Sequence, residues 1–178
     1  MSASAPRRPL TLGVYPTVRG FGWIAFEGPL AAYDWGLVEV MGEKNARCLR
    51  KLERLIERLQ PETLVLEAFE KEDSIRADRI ARLCRGMISI AHGRGLDAAI
   101  YGRPEIELCF GPVGARTRQE IAEVVARNVE VLRSRLPNKR RPWQSDDRRM
   151  ALFCAAAVVL THFRYNAQLF LDDLKDAA

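Results

Sequence analysis

Residues 10–26 read as two β-strands joined by a tight, Gly-rich turn, and this pair constrains the fold more than any other segment. Gly28-Pro29 then introduces residues 32–40, rich in aromatic and β-branched side chains. A three-stranded antiparallel meander is therefore expected to open the chain. Residues 43–60 switch to helical spacing, with Leu49, Leu52, Ile56 and Leu59 on one face and Arg and Glu on the others, until Pro61 stops the pattern.

The rest alternates. Residues 63–69 form a short apolar run of the kind buried in a sheet, with Glu67 near its end. A second helix is expected from an N-cap at Asp73 or Ser74 to Ala91, burying Ile80, Leu83, Met87 and Ile88, and residues 98–101 make a further strand. A turn at 111–114, a helix over 117–132, a basic loop at 137–142 and a helix over 145–163 follow. The expected fold is α/β, a mixed sheet flanked by helices.

The length of 178 residues suits one domain, spanning 10–166, with 1–9 a disordered leader and 167–178 a tail that is acidic from Asp172. No apolar run approaches the roughly 18 residues of a membrane span, and the N-terminus has no apolar signal core. Cys48, Cys84, Cys109 and Cys154 are scattered among apolar neighbours without metal or redox spacing, so free buried thiols and a cytoplasmic location are expected. A net charge of +5, carried mainly by arginine, permits a polyanionic partner.

An acid at the end of a buried strand needs a metal, a cation or a functional role, so Glu67 is either functional or paired with an arginine. The segments Leu12-Gly13-Val14-Tyr15-Pro16, Gly20-Phe21-Gly22-Trp23-Ile24, Leu64-Val65-Leu66-Glu67-Ala68-Phe69 and Cys154-Ala155-Ala156-Ala157-Val158 together resemble the RuvC branch of the RNase H-like nucleases. In that likeness residues 103–108 and 111–119 occupy the place of a strand, loop and helix. The resemblance implies an RNase H-like sheet, a catalytic Glu at Glu67, DNA junctions as substrate, Mg or Mn as cofactor, and a homodimer.

Two positions depart from the family pattern. Tyr15 and Cys154 each stand where the resemblance implies a metal-binding Asp. A two-ion phosphodiesterase needs several carboxylates around ions about 3.5–4 Å apart, and neither a phenol nor a soft thiol suits hard Mg²⁺. Asp147, two helical turns before Cys154, could join Glu67 as catalytic residue and ligand to a single metal, with Asp34 as a further candidate. Alternatively Asp146 and Asp147 cap the last helix. Tyr15 either fills the vacated space or stacks on a base.

The candidate nucleic-acid contacts are Arg76 and Arg79, in a stripe continued by Arg82 and Arg85; Arg116 and Arg118 at a helix start; and Lys139, Arg140, Arg141 and Trp143, where cations adjoin an aromatic. Each set also suits a solvated surface. His92 and His162 read as packed residues. The expected function is binding of structured, branched DNA with nuclease activity reduced or lost. The alternatives are an active Mg- or Mn-dependent resolving nuclease using Glu67 and Asp147, and a non-enzymatic protein-interaction scaffold.

Overall fold

The computed structural model describes residues 8–69 and 75–176. Strands β1 (Thr11–Pro16), β2 (Gly20–Phe26) and β3 (Ala32–Glu39) pair antiparallel in sequence order, while β4 (Thr63–Glu67) adds parallel to β1 and β5 (Asp97–Tyr101) parallel to β4. The sheet is thus mixed, in the order β3-β2-β1-β4-β5. Its antiparallel steps need only turns: the Thr17 hydroxyl accepts the Gly20 N–H at 3.1 Å, closing the first. Its parallel steps need crossovers, which α1 (Lys44–Leu59) and α2 (Ile75–Gly93) provide.

Alternation along the strands sorts side chains into two layers. Leu12, Val14, Phe21, Trp23, Leu64 and Leu66 pack with Leu52 and Ile56 of α1 and Leu83 and Met87 of α2. On the other face Ile24, Phe26 and Val65 pack with Val125 of α4 (Arg118–Asn128) and with Phe153 and Val158 of α5 (Met150–Asp176).

The contact between α5 and the sheet depends on glycine. A Cβ on Gly13 would lie 2.4 Å from Val159 Cγ2 and 2.5 Å from the Ala155 carbonyl oxygen, and one on Gly22 would lie 2.6 Å from the Ala151 carbonyl carbon. Ala151, Ala155 and Val159 are spaced four apart, so a single stripe of α5 lies across β1 and β2. This fixes the rotation of the helix about its axis. Residues Met150–Gln168 have the length and mean hydropathy, 1.2, of a membrane span, but more than half of that stretch is buried within the fold.

Several expected boundaries move. Residues 103–108, placed as a strand, belong to helix α3 (Arg103–Phe110), with Pro104 in its first turn, where its missing N–H costs no hydrogen bond. The helix expected over 117–132 stops at Asn128, whose side chain donates to the Val124 carbonyl at 2.8 Å; Val129 is extended, and a 3-10 segment covers Glu130–Arg135. Helix α5 starts at Met150, not Ser145, and its backbone continues past Phe163 to Asp176, through most of the expected acidic tail. Residues 1–7 of the expected leader, and the N-cap at Asp73 or Ser74, lie outside the described residues.

Candidate functional site

Tyr15 and Glu67 stand at the ends of adjacent parallel strands, on the sheet face covered by α5. In β1 Tyr15 follows Gly13 on that face, and in β4 Glu67 follows Val65. Because Gly13 and Gly22 set the rotation of α5, Cys154 reaches the same place. Glu67, Cys154, Arg103 of α3 and Arg118 of α4 line a narrow cleft whose apolar wall includes Ile106, Ile121 and Phe153 and whose enclosed volume is about 10 Å³. That is room for about one water.

Both arginines are positioned by local structure. Thr117 caps α4 through a reciprocal capping box: its hydroxyl accepts the Glu120 N–H at 3.2 Å, and the Glu120 carboxylate accepts the Thr117 N–H at 2.9 Å. Arg118 therefore leaves a fixed first turn, and its guanidinium carbon lies 5.8 Å from the centroid of the Tyr15 ring. Arg103 donates from Nε to Glu107 at 2.9 Å and from Nη2 to the Arg116 carbonyl at 3.2 Å.

Burial pushes the Tyr15 phenol well above its ordinary range; Cys154 and Glu67 reinforce the shift, while Arg118 and Arg103 oppose it. Burial likewise pushes the Cys154 thiol up to about 12, against the pull of Arg118. Both groups keep their protons at neutral pH. Burial disfavours the Arg118 charge, but Tyr15 and Cys154, once ionised at high pH, together with Glu67 and Asp146 outweigh it and hold that guanidinium above its usual value.

This donor set does not fit a two-ion centre. Among the described residues Glu67 is the one carboxylate lining the cleft, and no group of three His, Cys, Asp or Glu is arranged to hold an ion.

Asp147 is not brought to Glu67. The expected two-turn relation to Cys154 required helix from 145 onward, whereas Asp147 precedes the helix and its carboxylate accepts the Arg149 N–H at 2.9 Å and Arg149 Nη2 at 2.6 Å. That hydrogen bonding holds its carboxyl below the usual range. It closes the turn that leads into α5. Asp146 lies between Arg140, at 2.6 Å, and Arg118, at 3.9 Å. Asp34 also points elsewhere, to Arg58 of α1 at 2.7 Å, across the sheet from the cleft.

The basic residues divide similarly. Arg116 and Arg118 stand at the cleft side, and Arg116 is exposed. Arg79 bonds Asn45 and the Val18 carbonyl, both at 3.2 Å, tying α2 to α1 and the first turn; Arg76, Arg82 and Arg85 are exposed on that same helix. Lys139, Arg140, Arg141 and Trp143 lie in the loop before α5 and are exposed, with Arg141 5.6 Å from the Trp143 ring centroid. Arg140 and Trp143 border an open groove of about 550 Å³ together with Gln119, Asn138 and Gln144. His92 is exposed rather than packed, since α2 turns it outward near its last residue; His162 is half-buried and hydrogen-bonded through Nδ1 to the Tyr101 hydroxyl at 2.8 Å.

Arg103 was not marked by sequence reasoning. Gly102-Arg103-Pro104 carries the signal that could have found it, since Pro in a first turn marks a helix start and places the neighbouring Arg at its mouth. The Tyr101–His162 pair has no such local signal.

No family model matches the sequence, and no curated protein matches it. Solved structures do. Thermus thermophilus RuvC in complex with a Holliday junction substrate superposes with a TM-score of 0.65 at 16% identity, over 89% of this chain and 96% of that one. Thermus thermophilus RuvC alone gives 0.63 at 20% identity with the same coverage. The yeast mitochondrial Holliday junction resolvase Ydc2 gives 0.59 at 12% identity, over 91% of this chain and 80% of that one. The chain has the RuvC-like form of the RNase H-like fold.

Proposed function

We propose that this protein binds structured, branched DNA through the cleft and the basic loop before α5, as a homodimer, with metal-dependent hydrolysis reduced or lost. The observation that carries the reading is the makeup of the cleft: Arg103 and Arg118 line it beside Glu67, its one described carboxylate. The fold supports the substrate class, since one structural neighbour is RuvC in complex with a Holliday junction substrate. The nuclease alternative through Glu67 and Asp147 loses support because Arg149 engages the Asp147 carboxylate.

The test is incubation of the purified chain with labelled four-way junction, duplex and single strand, with and without Mg²⁺ or Mn²⁺, scoring retardation and products. Salt-sensitive retardation favouring the junction, without products, is expected. Metal-dependent cleavage that disappears in Glu67→Ala would overturn the loss of hydrolysis. Absence of retardation with every substrate would overturn nucleic-acid binding, leaving the scaffold reading. Sedimentation of the free and bound protein reports the dimer.

A further inference from the structure

Among the described residues the cleft holds one carboxylate, Glu67, yet it is not empty of positive charge. Arg118 reaches it from the capped start of α4 and Arg103 from the first turn of α3, so two guanidiniums from different helices border one narrow opening beside Glu67. Both reach solvent: the Arg118 side chain is 45% exposed and that of Arg103 26%. Arg103 is steadied by Glu107 and the Arg116 carbonyl, which engage Nε and Nη2. Arg118 rests over the Tyr15 ring, an apolar support that presents its π-face to the cation and competes for none of its N–H donors.

We infer that Arg118 and Arg103 take over the anchoring of a backbone phosphate at this cleft, so that nucleic acid binds there directly and without a divalent ion. The inference rests on the nucleic-acid-binding reading above and names the ligand group and its holders. A planar guanidinium offers two parallel N–H donors to phosphate oxygens, and needs no assembly of carboxylates to keep it in place. The residues around it agree with that use. Tyr15 and Cys154 are neutral at neutral pH, so they do not compete for the cations, and the cavity of about 10 Å³ keeps a phosphate at its mouth, where both guanidiniums reach solvent. Asp146 contacts Arg118 only at 3.9 Å but holds Arg140 at 2.6 Å, which brings an arginine of the basic loop near Arg118.

The experiment measures binding of a labelled four-way junction by fluorescence anisotropy, in EDTA and in Mg²⁺, for the unaltered chain, Arg118→Ala, Arg118→Lys and Arg103→Ala. Affinity of the unaltered chain in EDTA is expected to match that in Mg²⁺. Arg118→Ala is expected to weaken binding roughly five- to tenfold and to lower the salt slope by about one. Arg118→Lys should keep the slope and recover part of the affinity, since charge remains but the fork does not. Thermal unfolding monitored by circular dichroism checks that each variant is folded. A requirement for Mg²⁺, or unchanged affinity and slope in both Arg118→Ala and Arg103→Ala, overturns the inference while leaving nucleic-acid binding intact. No binding by the unaltered chain overturns both.

Discussion

The Arg118 guanidinium carbon lies 5.8 Å from the centroid of the Tyr15 ring, at a cleft lined by Glu67 and Cys154. A cation attached to the protein thus stands beside Tyr15, the position where the sequence resemblance implies a metal-binding carboxylate. Restoring that carboxylate therefore has to contend with Arg118. The Tyr15→Asp, Cys154→Asp double variant is expected to bind Mn²⁺ weakly in calorimetry, because a fixed guanidinium repels the ion and pairs with the new acids. Adding Arg118→Ala should tighten Mn²⁺ binding by roughly tenfold or more. Equal affinity in both variants would show that Arg118 does not occupy the cation position, and no binding in either would count against this placement of the site.

The seating of α5 makes a prediction about stability. In Gly13→Ala the new Cβ would meet Val159 Cγ2 at 2.4 Å and the Ala155 carbonyl oxygen at 2.5 Å, so helix and sheet must separate. A loss of about 1–3 kcal/mol in urea denaturation is expected, typical of overpacking. Gly93→Ala is the control, because a Cβ there meets nothing within 4 Å. If both behave alike, α5 does not lie against β1 as described.

The sheet was legible because its information is local. Gly-rich and Gly-Pro turns bound the first three strands, and Leu64-Val65-Leu66 is a continuous apolar run that suits a strand buried on both faces. The cleft was only half legible. Tyr15, Glu67 and Cys154 could be placed together because each is tied to a recognisable segment. Asp147 was misplaced because helical register was carried back past Met150, where the Asp147–Arg149 hydrogen bonds instead make a turn. Arg118 was read as a phosphate donor at a helix start, but its position over Tyr15 follows from α4 packing on α5, a long-range contact that periodicity does not encode.

Acid sensitivity should follow the two depressed carboxyls. Backbone hydrogen bonds from Thr117 and Arg116 hold Glu120 below its ordinary value, and the Arg149 side chain does the same for Asp147. A folded-state pKa below the unfolded one stabilises the fold at pH above the unfolded value, about 4 for these groups, and that contribution disappears as pH falls through the folded value. The melting temperature should therefore drop below about pH 4. In Glu120→Gln and Asp147→Asn it should start lower near neutrality and lose less on acidification. Parallel curves for variants and parent would remove these two groups from the account. Thr117→Ala, which removes the other half of the capping box, should cost about 1 kcal/mol at neutral pH.

Trp143 separates recognition from folding. Its side chain is 75% exposed, beside Arg141 and at the edge of the groove shared with Arg140 and Asn138, so its removal takes little from the core. Trp143→Ala should change unfolding free energy by less than about 0.5 kcal/mol. If the ring stacks on a base, the same variant should lose about 1–3 kcal/mol of affinity for single strand, where bases are open, less for junction, where only the pairs at the exchange point present a face, and least for intact duplex, where stacking faces are already used. Trp143→Phe should restore most of the difference, since a π-face remains. Unchanged affinity for all three substrates would mean that the loop acts through charge alone, because Trp143→Ala leaves every one of its cations in place.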